Sequence, residues 1–133
     1  MTIRHVTATD ADAWARLREA LWPGDPHAAE IAAFFAGTLP EPEAVLVAEF
    51  EPDLLVAIME LSVRRDLPGT SGASTGYVEG LYVEPSHRAA GVARRLLRAA
   101  QRWARERRCT FFASDRAERV IFDRTYSGHT RTA

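Results

Sequence analysis

Leu81-Tyr82-Val83-Glu84-Pro85-Ser86-His87-Arg88-Ala89-Ala90-Gly91-Val92-Ala93-Arg94-Arg95-Leu96-Leu97 is the stretch that decides the fold. An apolar strand runs into a Pro-containing turn. A short Arg88-x-x-Gly91-x-Ala93 loop follows, and then a long amphipathic helix begins. That order gathers the backbone N–H groups of Ala89–Arg94 at a helix N-terminus, where the positive end of the helix dipole favours an anion, and it suits a pyrophosphate. Gly91 lets the backbone approach such a ligand closely, and Ala93 is small enough for the helix to start beside it. An acyl-CoA-type cofactor is the first expectation; a plain strand–turn–helix joint is the alternative.

Outward from this stretch the pattern is that of an α/β domain. The helix from about Ala90 to Arg107 has Val92, Leu96, Ala100 and Trp103 as its apolar stripe, widened by Leu97 and Ala104. Arg94, Arg95, Arg98, Arg102 and Arg105 take its other positions. Upstream, Ile3–Val6 reads as a strand. Thr9 or Asp10 caps a helix that runs to Leu21, with Trp14, Leu17 and Leu21 on one face. Trp22-Pro23-Gly24 stops it, and Asp25-Pro26 restarts a helix, with Asp25 as its N-cap, Pro26 in its first turn and Ile31, Phe34 and Phe35 as its apolar face. Ala44–Phe50 and Leu54–Arg64 are strands about a Glu51-Pro52-Asp53 turn, the second with Val56, Ile58 and Glu60 on one face. Residues 66–76 form a Gly/Ser/Thr/Pro loop expected to be mobile, and Gly76–Val83 is the next strand. Gly80 inside it marks a bulge or a close backbone approach. Thr110–Ala113 and Arg119–Phe122 are short strands, and Thr125–Ala133 is a polar tail expected to fray.

The 133 residues make one ordinary domain, without repeat, linker or low-complexity segment. With 47% apolar and 26% charged residues, no bilayer-spanning run and no signal-peptide core at the N-terminus, the chain is expected to be cytoplasmic, with no membrane partner. A single cysteine excludes an internal disulfide, and Cys109 is expected to start a buried strand. The net charge of −1 conceals an asymmetry: residues 1–87 carry 5 Arg against 14 Asp/Glu, residues 88–133 carry 12 Arg against 4. All 17 basic residues are Arg. One half suits an anion and the other a cation; two solvated faces of opposite sign are the plainer explanation. The four histidines are scattered without ligand spacing, so no metal site is visible, and His87 is either exposed or beside a phosphate. The Arg face lacks interleaved aromatics, which argues against a nucleic-acid partner.

At Arg88-x-x-Gly91-x-Ala93 the chain resembles the GNAT superfamily of acetyl-CoA-dependent N-acetyltransferases. Further segments are similar to the bacterial aminoglycoside 6'-N-acetyltransferases: Leu17-Arg18-x-x-Leu21-Trp22-Pro23-Gly24, Val78-Glu79-Gly80-Leu81-Tyr82-Val83, Gln101-Arg102-Trp103, Ala113-Ser114-Asp115 and Glu118-Arg119-Val120-Ile121-Phe122. The likeness runs from residue 1 to about 124. It implies a single domain with a central mixed, mostly antiparallel twisted sheet flanked by helices, and a homodimer by analogy. In that family a helix and the start of a further strand separate the last two segments; here only Arg116 and Ala117 do, so the C-terminal part reads as shortened, either by a true deletion or because the sequence omits residues. The resemblance also implies the alternatives of another small amine or a peptide N-terminus as acceptor, or an inactive acyl-CoA-binding remnant.

The same likeness implies a division of labour. Leu81, Tyr82 and Val83 would receive the pantetheine arm as an added strand, and Arg88, Ala89, Ala90, Gly91, Val92, Ala93 and Arg94 the phosphates. The main-chain N–H near Leu81 would stabilise the oxyanion developing on the thioester. An acceptor amine must lose a proton, and Glu79, just before the bulge, is the expected general base or electrostatic anchor, against a surface salt bridge. Asp115, at a strand end, and Asp66 would contact the amines of a polycationic acceptor such as an aminoglycoside. Trp22 either packs on a sugar ring or ammonium or is a core or hinge residue. Tyr126, the one tyrosine downstream, is a weak candidate acid beside its simpler reading as part of the tail.

Overall fold

The structure, a computed structural model, describes residues 1–114, 120–123 and 131–132, the last two segments by their backbone. The strands β1 (Thr2–His5), β2 (Ala44–Glu51), β3 (Leu54–Arg64), β4 (Thr75–Val83), β5 (Phe111–Ser114), β6 (Val120–Asp123) and β7 (Arg131–Thr132) lie in sequence order across one sheet. Every neighbouring pair is antiparallel except β4–β5, which is parallel. That pair requires a crossover, and α3 (Val92–Glu106) supplies it. The helices α1 (Ala11–Leu21) and α2 (His27–Ala36) cover the opposite face.

Alternation along β2 shows how the sheet serves both layers. Val45 and Val47 pack with Trp14, Leu17 and Ile31 beneath α1 and α2, whereas Ala44, Leu46 and Ala48 join Val92, Leu96, Ala100 and Trp103 beneath α3. The α3 stripe is the expected one. Cys109 is buried just before β5, its N–H donating to Ala104 O at 2.9 Å.

Three local expectations change. Val56 does not share a face with Ile58 and Glu60. It is an extra residue between the pairs Glu49–Leu55 and Ala48–Ala57, and this bulge turns Val56 into the α3 layer while Ile58 and Glu60 stay on the α1 side. Helix α2 starts at His27 with Pro26 before it, and the Asp25 carbonyl, not its side chain, accepts the His27 N–H at 2.8 Å. Phe35 is exposed at its helix surface, although Trp14, Phe34 and Phe35 still meet edge to face.

Strand β5 pairs with β6 from Phe111–Asp123 to Ala113–Ile121, so the shortened C-terminal part closes as a hairpin beside the parallel pair. Arg131 and Thr132 add a two-residue strand to β6. Residues 124–130 of the polar tail, including Tyr126, lie outside the described residues.

Candidate active site

Strand β4 carries the site. Its first half is held on both sides, with Thr75–Val78 paired to Phe111–Ser114 of β5. Its second half, Gly80–Val83, pairs with β3 alone, so among the described residues no strand lies against its other edge. Main-chain groups on that edge can accept an extended ligand arm as a further strand would. Leu81, Tyr82 and Val83 all fall in this open half.

The two halves meet at a bulge. Gly80 pairs with Glu60 and Val78 with Leu61, leaving Glu79 as the extra residue. Val78 points into the α3 layer, whereas Gly80 abuts Leu21 and Trp22 on the α1 side. Glu79 reaches Arg64, which shares the Glu60 side of β3 by alternation. The contact is a bidentate ion pair, with Arg64 Nε and Nη2 donating to Oε2 and Oε1 at 2.8 Å each. The Glu79 side chain is 18% exposed, so this is a half-buried carboxylate with a fixed orientation. The hydrogen bond that Arg64 donates to Glu79 raises the Arg64 pKa above its ordinary value, against desolvation, and keeps the guanidinium charged. Arg64 also lies over the Tyr77 ring, 4.5 Å from its centroid.

Trp22 stands over the bulge. Its ring edge fills the space a side chain at Gly80 would need: a Cβ there would lie 2.6 Å from Cη2 and 2.9 Å from Cζ2. The sequence expected either a bulge or a close approach at Gly80, and the structure has both. Trp22 is half-buried and the Arg18 guanidinium lies 5.0 Å from its ring centroid.

Past β4, the chain makes a 3-10 turn over Pro85–Ala90, and Gly91 takes φ 77°, the left-handed region, to enter α3. This turn falls within the stretch the sequence reads as a Pro-containing turn and loop, and the helix begins at Val92 rather than at about Ala90. Arg95 N donates to Gly91 O at 3.1 Å, which leaves the N–H groups of Val92, Ala93 and Arg94 ahead of the intrahelical ladder. No side chain caps them. Ala89, Ala90 and Arg94 are exposed and nothing lies within 4 Å of the position a Gly91 side chain would take. An uncapped N-terminus with open space beside a glycine fits a phosphate group. Arg88 also steadies the loop: its Nε donates to Val83 O at 2.8 Å and its guanidinium lies over Tyr82, 5.5 Å from the centroid. His87 packs its ring on Phe50 and bonds Ser86 Oγ at 3.0 Å.

The structure thus brings Trp22, Glu79 and Leu81 to one bulge, and the loop at 88–94 follows from the far end of the same strand. Asp66 is exposed in the turn-rich loop after β3, and no described contact joins it to Glu79 or Trp22. Asp115 lies outside the described residues, one position past β5. Sequence reasoning missed Arg64, Arg18 and Glu60. The available signal was two charges, Arg18 on the Leu17 side of α1 and Glu60 within an apolar strand, at positions where charge must be paired. Two open depressions of about 450 Å³ lie elsewhere, one near Glu43 and Arg107, the other near Ile3 and Arg98; neither is lined by Glu79 or the loop. Among the described residues no cluster of His, Cys, Asp and Glu could hold a metal ion, and no helix is long and apolar enough to cross a membrane.

Comparison with known proteins agrees with this geometry. The model of the acetyltransferase (GNAT) family matches residues 11–121. An aminoglycoside N(6')-acetyltransferase type 1 of Klebsiella aerogenes is 40% identical over 116 residues, 85% of this chain and 76% of that protein. One from Stenotrophomonas maltophilia is 39% identical over 116 residues, covering 86% and 74%. Among solved structures, AAC(6')-Iy in complex with the bisubstrate analogue CoA-S-monomethyl-acetylneamine superposes with a TM-score of 0.76 at 31% identity, over 87% of this chain and 79% of that one. The apo 6'-N-acetyltransferase AAC(6')-IG of Acinetobacter haemolyticus gives 0.75 at 31% identity, over 100% and 93%. A strand that opens along half its edge, running into an uncapped helix that crosses to the next parallel strand, is therefore this chain's version of a shared scaffold, and the chain belongs to the acetyltransferase (GNAT) family.

Proposed function

We propose that this protein transfers the acetyl group of acetyl-CoA to the 6'-amine of an aminoglycoside. The observation that carries the reading is the bulge at Glu79–Gly80, which sets a half-buried carboxylate and the Trp22 ring at the mouth of an open strand edge. Relatives of 30–40% identity bearing the aminoglycoside N(6')-acetyltransferase name support it.

Acetyl-CoA, when bound, supplies a thioester activated for acyl transfer. Leu81–Val83 receive the pantetheine arm, and the N–H groups of Val92, Ala93 and Arg94, with Gly91, receive the pyrophosphate. The Leu81 N–H stabilises negative charge on the thioester oxygen. Glu79 faces the acceptor amine and takes its proton directly or through a water, because an ammonium has no lone pair to attack with. Arg64 holds that carboxylate in one orientation, so the amine meets a preorganised acceptor. The N–C bond forms as the C–S bond breaks; the amine proton leaves and the thiolate takes one up. Trp22 packs against the aminosugar and Asp66 contributes negative charge to the acceptor side; Asp115, given the same role by the family likeness, lies outside the described residues. Acetylation removes one positive charge from the drug, weakening its hold on RNA phosphates and so conferring resistance. The proposed location is the cytoplasm, and the proposed assembly, by analogy, a homodimer.

Purified protein given acetyl-CoA and kanamycin or tobramycin should release free thiol. No release across a panel of aminoglycosides overturns the reading. The short β5–β6 connection favours a second one, an acyl-CoA-binding remnant. Calorimetric binding of acetyl-CoA without turnover on any small amine or peptide N-terminus would establish that alternative.

A further inference from the structure

Beneath Trp22 runs a buried chain of charges that the acetyl-transfer scheme does not use. Glu60 is 1% and Arg18 6% exposed. Arg18 Nε donates to Glu60 Oε2 at 2.7 Å, and Trp14 Nε1 donates to the same oxygen at 2.9 Å. Arg18 Nη2 also pairs with Glu30 at 3.1 Å. His27, itself buried, lies 3.3 Å from Arg18 Nη1 through Nδ1. Because a guanidinium only donates, Nδ1 accepts, and Nε2–H then donates to Glu19 Oε1 at 3.0 Å. Glu19 in turn accepts the Gly24 N–H at 3.0 Å.

One continuous chain thus joins Glu60 on β3 to the backbone of the Trp22-Pro23-Gly24 turn. Two of its members bear on the bulge. Glu60 is the register partner of Gly80, and Arg18 stacks on the ring whose edge covers Gly80. A buried ion pair is a poor source of stability, since desolvation offsets its attraction and apolar isosteres often do as well. What the pair provides here is geometry. It fixes a guanidinium under one ring face, and the ring is thereby held against the strand.

We propose that Arg18 and Glu60 are positioning residues that set acceptor affinity by holding Trp22 over the Glu79–Gly80 bulge. The inference rests on the acceptor reading of Trp22 given above. It predicts that removing the pair as a unit loosens the turn and weakens the acceptor without unfolding the protein.

The test uses the full chain with the replacements Arg18→Met plus Glu60→Met, which remove both members of the buried pair together and leave only the partly exposed Glu30 without its guanidinium, and Glu60→Gln, which keeps an acceptor for Trp14. A third chain carries Trp22→Ala. Steady-state kinetics with acetyl-CoA and tobramycin, thermal melting, and hydrogen–deuterium exchange of the residue 18–27 segment are the readouts. The expected result for the double replacement is a melting temperature near that of the parent, exchange in that segment at least tenfold faster, acceptor KM raised about tenfold, kcat within threefold and acetyl-CoA KM unchanged. Glu60→Gln should raise acceptor KM by a smaller factor. If Trp22→Ala raises acceptor KM but a folded double replacement does not, the positioning role is overturned and the acceptor reading of Trp22 stands. If Trp22→Ala leaves acceptor KM unchanged, both fail. Should the double replacement melt far below the parent, the pair is a structural element and the proposal falls.

Discussion

Replacing Gly80 by alanine puts a methyl group where the edge of Trp22 already sits. The new Cβ would stand 2.6 Å from Cη2, 2.9 Å from Cζ2 and 3.2 Å from Leu21 Cδ1. Carbon atoms rest about 3.5–4.0 Å apart, so the ring must recede by roughly 1 Å. It has little freedom to do so, because Arg18 stacks on it and is itself locked to Glu60. Overpacking of this kind costs about 1–3 kcal/mol. For a domain of this length that lowers the melting temperature by roughly 4–12 °C. The decisive assay is a double-mutant cycle followed by thermal or urea denaturation. A Trp22→Ala background removes the two closest contacts, so Gly80→Ala should cost less than about 0.5 kcal/mol there, giving a coupling of about 1–2 kcal/mol. Equal costs with and without the ring would refute the packing of Trp22 on Gly80, and with it the geometry assigned to the acceptor side.

Three further outcomes follow from the same structure. Glu79→Gln should lower kcat about 100-fold while leaving acetyl-CoA affinity within about twofold, the expected insensitivity of a group that faces the acceptor alone; a near-parental rate across pH would remove Glu79 from proton transfer. Gly91→Ala forces a side chain into φ 77°, at a cost of about 1–2 kcal/mol, and should weaken acetyl-CoA binding measured by calorimetry more than it raises acceptor KM. Asp10→Asn tests a structural charge: Arg4 donates to Asp10 at 2.8 and 3.0 Å and the Thr7 N–H at 2.8 Å, and these bonds, Arg4 first, hold the Asp10 carboxyl below its ordinary pKa. A depressed carboxyl stabilises the fold above the unfolded-state pKa of about 4, and that stability is lost as pH falls through the folded value. Asp10→Asn should therefore cost about 1 kcal/mol at pH 7, with the gap to the parent closing below about pH 4; a gap constant down to pH 2 would rule the carboxylate out.

Much of the fold is legible because it is written in local periodicity. The α3 stripe, the β2–β3 hairpin and the special nature of Gly80 all follow from neighbours a few residues apart. The exceptions have specific causes. Val56 changes face because β3 carries a bulge, and an extra residue in a strand breaks the period of two without leaving a mark in composition. Helix α3 begins at Val92 rather than at about Ala90 because the left-handed Gly91 redirects the chain just before it. The site divides in the same way. The 88–94 loop can be named from residue type and order, and Glu79 and Trp22 from the family likeness, whereas Arg64 cannot, because its partner is chosen by strand register.

By itself the sequence determined a strand, a glycine-bearing loop and an arginine-faced helix in an order that suits a phosphate, a flaw in the strand at Gly80, and the family likeness that these carry. Only the tertiary structure decided which edge of β4 stays open, which carboxylate is held by which guanidinium, and what lies beneath Trp22. Those pairs are 15 residues apart for Arg64 and Glu79 and 42 for Arg18 and Glu60. Helix and strand preferences act over a single turn or a single pleat, but the partner of a buried charge depends on how separate elements are brought together, and desolvation makes that partner obligatory once they meet.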